Sequence, residues 1–347
     1  MSDRGLSLLA ERCRALPGTL RATLDAALPA LPAEVLRSPR WVITGAGASE
    51  GPARMLASLL RRCGRRCAEF VPLSSFARAW PRTEAVLVVF SEGISPNAAL
   101  ALKCAGVFDA TVVVTATARH PLVLERSHHG ACVIEHPPSV EGELLLRVLG
   151  PAAATLRACQ LAGEALAARG EALPWTRDDL ARVAAAVEDT DARVGAWWTT
   201  EAGEALAGRL DRGCVAFVTV DGGDDLAHGL RWKWLEGTGA CDPSVWDVLQ
   251  VVHGPYQHLY EREFTLMALE REGDRVGSSL VDGLARMLHP TRHVLVRWRA
   301  QLPDALAFFE YDAWANALVL RAVERGERDL VAWPGKGRDG ALYDVGR

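Results

Sequence analysis

Apolar residues in this chain fall into short unbroken runs separated by stretches of helical spacing. Trp41-Val-Ile-Thr-Gly45, Ala85-Val-Leu-Val-Val-Phe90, Thr111-Val-Val-Val114 and Ala131-Cys-Val-Ile134 read as strands. Between them, Met55, Leu56, Leu59 and Leu60 inside 50–62 repeat as one face of a helix, and 98–104 reads as a second helix. Continuous β-branched runs alternating with helices are what a parallel sheet buried on both faces requires. A long helix is expected over 141–169, with Pro174 ending it. The pattern then repeats: a helix over 199–210, the strand Cys214-Val-Ala-Phe-Val-Thr-Val220, the turn Asp221-Gly-Gly-Asp224 and a helix over 226–235. Strands over 264–269, 293–298 and 305–309 follow, then a helix over 313–325. This predicts an N-terminal helix and linker (1–34), two tandem α/β domains (35–172 and 173–325) and a C-terminal tail (326–347).

In an open parallel sheet, ligands sit beyond the carboxyl ends of the strands, where loops lead into helix N-termini. Gly45-Ala-Gly-Ala-Ser49 and Ser91-Glu-Gly-Ile-Ser95, with Pro96 suited to a first helical turn, occupy such places. Backbone N–H groups at helix starts can form an anion site. Each loop also reads as a glycine turn with a serine cap. A dinucleotide fingerprint would need a third glycine where Glu50 stands and an acidic residue about 20 positions on, where Glu69 is a poor match.

The 347 residues carry a formal net charge of −4, which argues against a nucleic-acid or anionic-membrane partner. No apolar run is long enough to span a membrane, and no leader precedes the first amphipathic helix. The eight cysteines include no CxxC pair. Cys63 and Cys67 read as buried thiols, and His128, His129 and His136 as structural or surface residues, so no metal or cofactor is expected. These features together point to a cytoplasmic protein.

Four segments, in order, resemble the sugar isomerase (SIS) family, and as a set they resemble the tandem isomerase half of glucosamine-6-phosphate synthase. They are Gly45–Ser49, Phe90–Ser95, Lys233-Trp-Leu-Glu236 with His253-Gly254-Pro255, and the tail 329–336 ending in Lys336. The resemblance implies two α/β/α sandwiches, an aldose–ketose isomerase that acts alone or with amination or deamination, and a homodimer. It implies that Glu236 shuttles the proton, His253 assists ring opening, and Lys233 and Lys336 are active-site lysines. It places substrate contacts at Gly47, Ser49, Ser91, Glu92, Gly93, Ser95 and Asn97.

The residues also have plainer readings. Lys233 and Glu236 can be a surface ion pair, His253 can shape a turn, and Lys336 can be solvated. In the phosphate loop, Ser91-Glu92-Gly93 stands where the family has Ser-Gln-Ser, and Pro96 where it has a threonine. A carboxylate repels a phosphate dianion, so the expectation is a sugar-like substrate with weakened or lost phosphate recognition. The chain enters the isomerase half directly, so no glutaminase is expected within it. A non-catalytic sugar-binding regulator and a decayed subunit are the alternatives; the absence of a basic DNA-reading region weakens the first.

Overall fold

The computed structural model describes residues 4–137, 141–209, 214–239, 242–325 and 329–343. It contains two compact units. The first gathers 18–143, 147–174 and 332–347, and the second 1–17, 144–146 and 175–331. Helix α1 (Arg4–Asp25) contributes to both.

The first unit is built on a five-stranded parallel sheet in the order β2-β1-β3-β4-β5. Its strands are β1 (Arg40–Thr44), β2 (Cys67–Phe70), β3 (Thr83–Phe90), β4 (Phe108–Thr115) and β5 (Cys132–Glu135). Residues Ala85–Phe90 are at most 1% exposed, because helices cover both faces. On one face Val42, Leu87, Val89 and Val113 pack against Ala98 and Leu102 of α3 (Pro96–Lys103). The helices α2 (Glu50–Arg62) and α4 (Leu149–Ala167) pack against each other, and α2 also contacts β1 and β3.

Helix α4 is shorter than the sequence suggests, starting at Leu149 rather than near 141. The reason is Glu141, which is fully buried and caps the helix from outside. Its carboxylate accepts from the N–H groups of Val148 (2.6 Å), Leu149 (3.0 Å) and Gly150 (2.9 Å). These are first-turn donors with no partner inside the helix.

His136, just past β5, is also buried. Desolvation, aided by the neighbouring Arg157 guanidinium, lowers its pKa from 6.5 to about 4, against a weaker raising effect from the Pro137 carbonyl. The folded state therefore holds a neutral ring while the unfolded chain takes up a proton below about pH 6.5. Stability is full above that pH and falls as the pH drops towards 4, by about 3 kcal/mol for this group. Urea unfolding at pH 7 and pH 4.5 should show this loss in wild type and a smaller one in His136→Leu.

The second unit has a four-stranded parallel sheet in the order β7-β6-β8-β9. Its strands are β6 (Cys214–Thr219), β7 (Ser244–Asp247), β8 (Phe264–Arg271) and β9 (His293–Ala300). Its helices include α5 (Val183–Trp198), α6 (Asp224–Thr238), α7 (Arg275–Met287) and α8 (Ala307–Arg325). Residues 305–309, expected as a strand, are instead a short 3-10 turn running into α8. Every residue of α8 from Ala307 to Val319 is buried, so the helix lacks the periodicity that would identify it. The end of the expected helix at Leu210 and residues 326–328 of the predicted tail lie outside the described residues. No helix is long and apolar enough to cross a membrane among the described residues.

Candidate functional site

In the first unit the chain runs outward from β1 to β2 and then returns to β3, so the strand order reverses between β1 and β3. Such a switch point opens a crevice at the carboxyl ends of the strands. The two loops predicted from sequence flank it. They approach closely: a Cβ added to Gly45 would lie 2.4 Å from the Ser49 carbonyl oxygen and 3.3 Å from that of Phe90. Only glycine fits there. Gly47 adopts the left-handed conformation with φ +56°, and Ser49 precedes α2 with its side chain making no cap bond. Arg54, one turn into α2, is paired with Glu50 at 2.7 Å.

The second loop is held from several sides. The Glu92 carbonyl accepts from Ala116 N–H (3.1 Å), Thr115 Oγ1 (2.9 Å) and Thr117 Oγ1 (3.2 Å). Ser91 Oγ accepts from Ser95 N–H at 3.3 Å, and Ser95 Oγ caps α3 by accepting from Ala98 N–H at 3.2 Å. Ile94 has φ +53° although it is β-branched, and it is held there with its side chain buried in the core. Strain of this kind costs about 1–3 kcal/mol and concentrates at functional sites. Gly93 is exposed and Asn97 half-buried.

This loop is poor in anion donors. Pro96 has no N–H, and those of Ala98 and Ala99 are taken by the Ser95 hydroxyl and carbonyl. The Glu92 carboxylate turns towards the start of α4. An ideal Cβ on Gly150 would lie 2.7 Å from Glu92 Oε2, and the Gly150 N–H is already taken by Glu141. Two carboxylates thus occupy a helix N-terminus that could otherwise have attracted a phosphate.

The second unit has an equivalent switch point between β6 and β8. There the Arg271 guanidinium reaches Asp221 (3.3 Å), Asp304 (3.5 Å) and Asp274 (3.8 Å). The Arg271 guanidinium there is engaged by the protein's own carboxylates.

Of the second-half candidates, Lys233 and Glu236 share α6. Ala227, Leu230, Lys233, Trp234 and Gly237 form its buried face. Glu236 borders that face, half-buried. Lys233 is not a surface partner of Glu236: it is 3% exposed, and its Nζ lies 2.8 Å from Asp312 Oδ2, 2.7 Å from Asp312 Oδ1 and 2.9 Å from Asn316 Oδ1. The surface ion pair is therefore not what the structure shows: this ammonium is engaged in the core by Asp312 and Asn316. His253 sits exposed after a 3-10 turn, and Gly254 (φ +126°) and Pro255 turn the chain into a short helix. In the tail Lys336 is exposed, with Nζ 4.2 Å from the centre of the Trp333 ring.

Asp312 and Asn316 were missed from sequence, although two polar residues four apart in an apolar helix signal a buried network. Glu141 was missed as well. Cys67 is exposed and Cys63 half-buried, so neither is a fully buried thiol. Among the described residues no group of three or more His, Cys, Asp or Glu side chains could hold a metal.

No family model matches the sequence, and no curated protein does. Solved structures do match. The C-terminal domain of glucosamine-fructose-6-phosphate aminotransferase from Francisella tularensis aligns with a TM-score of 0.68 at 12% identity, covering 96% of this chain and 99% of that one. Tagatose-6-phosphate ketose/aldose isomerase from Escherichia coli aligns at 0.66 and 16%, covering 94% and 96%. Glucosamine-6-phosphate deaminase from Thermotoga maritima aligns at 0.65 and 13%, covering 93% and 95%. At these identities the likeness is one of fold, and the fold of this chain is that of the sugar isomerase proteins.

Proposed function

We propose that this chain is an enzyme that moves a proton between adjacent carbons of an open-chain, sugar-like substrate. This is aldose–ketose isomerisation, the step that amination and deamination of amino sugars share. The observation that carries the reading is the pair of glycine–serine loops meeting at the β1/β3 switch point of a sugar-isomerase fold. Glu236 would act as the shuttling carboxylate, His253 would assist ring opening, and Lys336 would balance charge on the sugar oxygen. Gly47, Ser49, Ser91, Gly93, Ser95 and Asn97 would hold the substrate. The reading includes a homodimer, and Leu249 (58% exposed), Tyr260 (47%) and Val252 (39%) around His253 favour pairing with a second copy.

The substrate is proposed to be unphosphorylated. A carboxylate and a phosphate charge 4 Å apart repel by about 4 kcal/mol at the effective dielectric of a protein surface. Glu92 and Glu141 bring such charges to the start of α4, and the loop that carries Glu92 has few donors. Calorimetric titration with fructose and fructose 6-phosphate tests this. Wild type should favour fructose, and Glu92→Gln should move the preference towards the phosphate by at least about tenfold. Tight binding of fructose 6-phosphate by wild type would contradict it. One observation, the engaged ammonium of Lys233, favours a second reading, a sugar-binding protein without catalysis; such a protein would bind in this experiment and turn nothing over.

A further inference from the structure

Three of the 39 basic residues are lysines, Lys103, Lys233 and Lys336. A chain that otherwise uses arginine places one of these three in its core, against an aspartate and an asparagine on α8. We infer that Asp312 and Asn316 are positioning residues: with Lys233 they form a buried lock that fixes the setting of α6 on α8, and so the direction of the Glu236 carboxylate. The role assigned to Glu236 rests on the proposed function; the lock itself does not.

Nζ donates to Asp312 Oδ2 at 2.8 Å and Asn316 Oδ1 at 2.9 Å, and lies 2.7 Å from Asp312 Oδ1 as its ion partner. This cluster of oxygens around one atom suits a compact ammonium, whereas a planar guanidinium would not fit it. The Asn316 amide is oriented by the same network, because its Nδ2 donates to Asp312 Oδ2 at 3.1 Å. Its oxygen must then face the lysine.

Stability alone does not explain the arrangement. Burying two charges costs about as much as their attraction returns, and packed apolar side chains would serve as well. The arrangement does supply direction. One turn beyond Lys233 on the same face, a Cβ on Gly237 would lie 2.2 Å from Val319 Cγ1, so α6 and α8 are in close contact there. The lock and this contact together fix both rotation and sliding of α6. Helix α8 is a rigid base: Glu310 accepts from the N–H groups of Gln301 (2.7 Å) and Leu302 (2.6 Å), and Tyr311 donates to the Glu270 carbonyl at 2.6 Å. Glu236 lies three residues from Lys233 and next to Gly237. A change in the rotation of α6 would therefore displace the carboxylate first.

The small lysine count makes the test direct. Reductive methylation of the folded protein with carbon-13 formaldehyde should label the N-terminus, Lys103 and Lys336, and leave Lys233 unlabelled. Labelling of Lys233 in folded wild type overturns the lock, whatever the activity. The positioning role is read from proton exchange on whichever of fructose and fructose 6-phosphate the wild type turns over. Asn316→Leu should lower kcat by about 10- to 100-fold with KM within a factor of about three, as expected for a misplaced group. Equal kcat in a folded Asn316→Leu overturns the positioning role. Lys233→Met strands the Asp312 charge in the core, so the informative variant is Lys233→Met/Asp312→Leu, which removes both charges. It should lower kcat by the same roughly 10- to 100-fold as Asn316→Leu, whereas a folded double variant down by about a thousandfold would show that Lys233 acts on the substrate and overturn the positioning role. A protected Lys233 in a protein that exchanges neither sugar leaves the lock standing and removes the isomerase reading.

Discussion

Glu236→Gln is expected to lower the rate of proton exchange on the substrate by about 10²–10⁴-fold, the usual contribution of a positioned general base. Glutamine has nearly the same shape and can still accept a hydrogen bond, but it cannot take up and return a proton at neutral pH. Glu236 borders the buried face of α6 without belonging to it, so the change should leave the thermal unfolding midpoint within a few degrees of wild type. Exchange rates from proton NMR, set beside a melting curve, check both halves. A folded Glu236→Gln protein with wild-type exchange would remove this residue from the mechanism.

Glu141→Ala should be among the most damaging substitutions away from α6, costing about 3–5 kcal/mol. Three first-turn N–H groups of α4 lose a fully buried, charged acceptor, and each such donor left unpaired costs about 1–3 kcal/mol. The loss also removes negative charge from a helix N-terminus, where it is favourable. Glu141→Gln keeps one oxygen for Val148 and Leu149 but turns an NH₂ towards the Gly150 N–H, so about 1–2 kcal/mol should be lost. Urea midpoints at pH 7 give the ranking. Equal stability of wild type and Glu141→Ala would mean that water replaces the cap.

Much of the architecture was legible because buried parallel strands advertise themselves. Runs such as Ala85–Phe90 and Cys214–Val218 are apolar without interruption and lead to glycine- or serine-bearing loops. The loops at 45–49 and 91–95 were found for the same reason. The edge strands β2 and β7 were not, since four residues exposed along one side leave little pattern. Helix α8 was read only from 313 onward because burial on all sides removes its period and makes 305–309 look like strand. The role of Lys233 was the hardest to see. Its neighbour at Glu236 suggested a local pair, whereas its partners lie 79 and 83 residues further along the chain. Sequence spacing reports contacts within a helix and is silent on contacts between helices. Likewise, the direction of the Glu92 carboxylate depends on Gly150, which only the fold brings near it.

The central claim is that this chain moves a proton on a sugar-like substrate without needing a phosphate. The most direct measurement is proton NMR of the purified protein in deuterated buffer, with fructose, fructose 6-phosphate, glucosamine and glucosamine 6-phosphate, each with and without ammonium. The account predicts deuterium at the carbon next to the carbonyl, faster with the unphosphorylated member of a pair and lost in Glu236→Gln. Exchange confined to the phosphorylated sugars would contradict the part assigned to Glu92, and exchange with none of the four would contradict the enzyme.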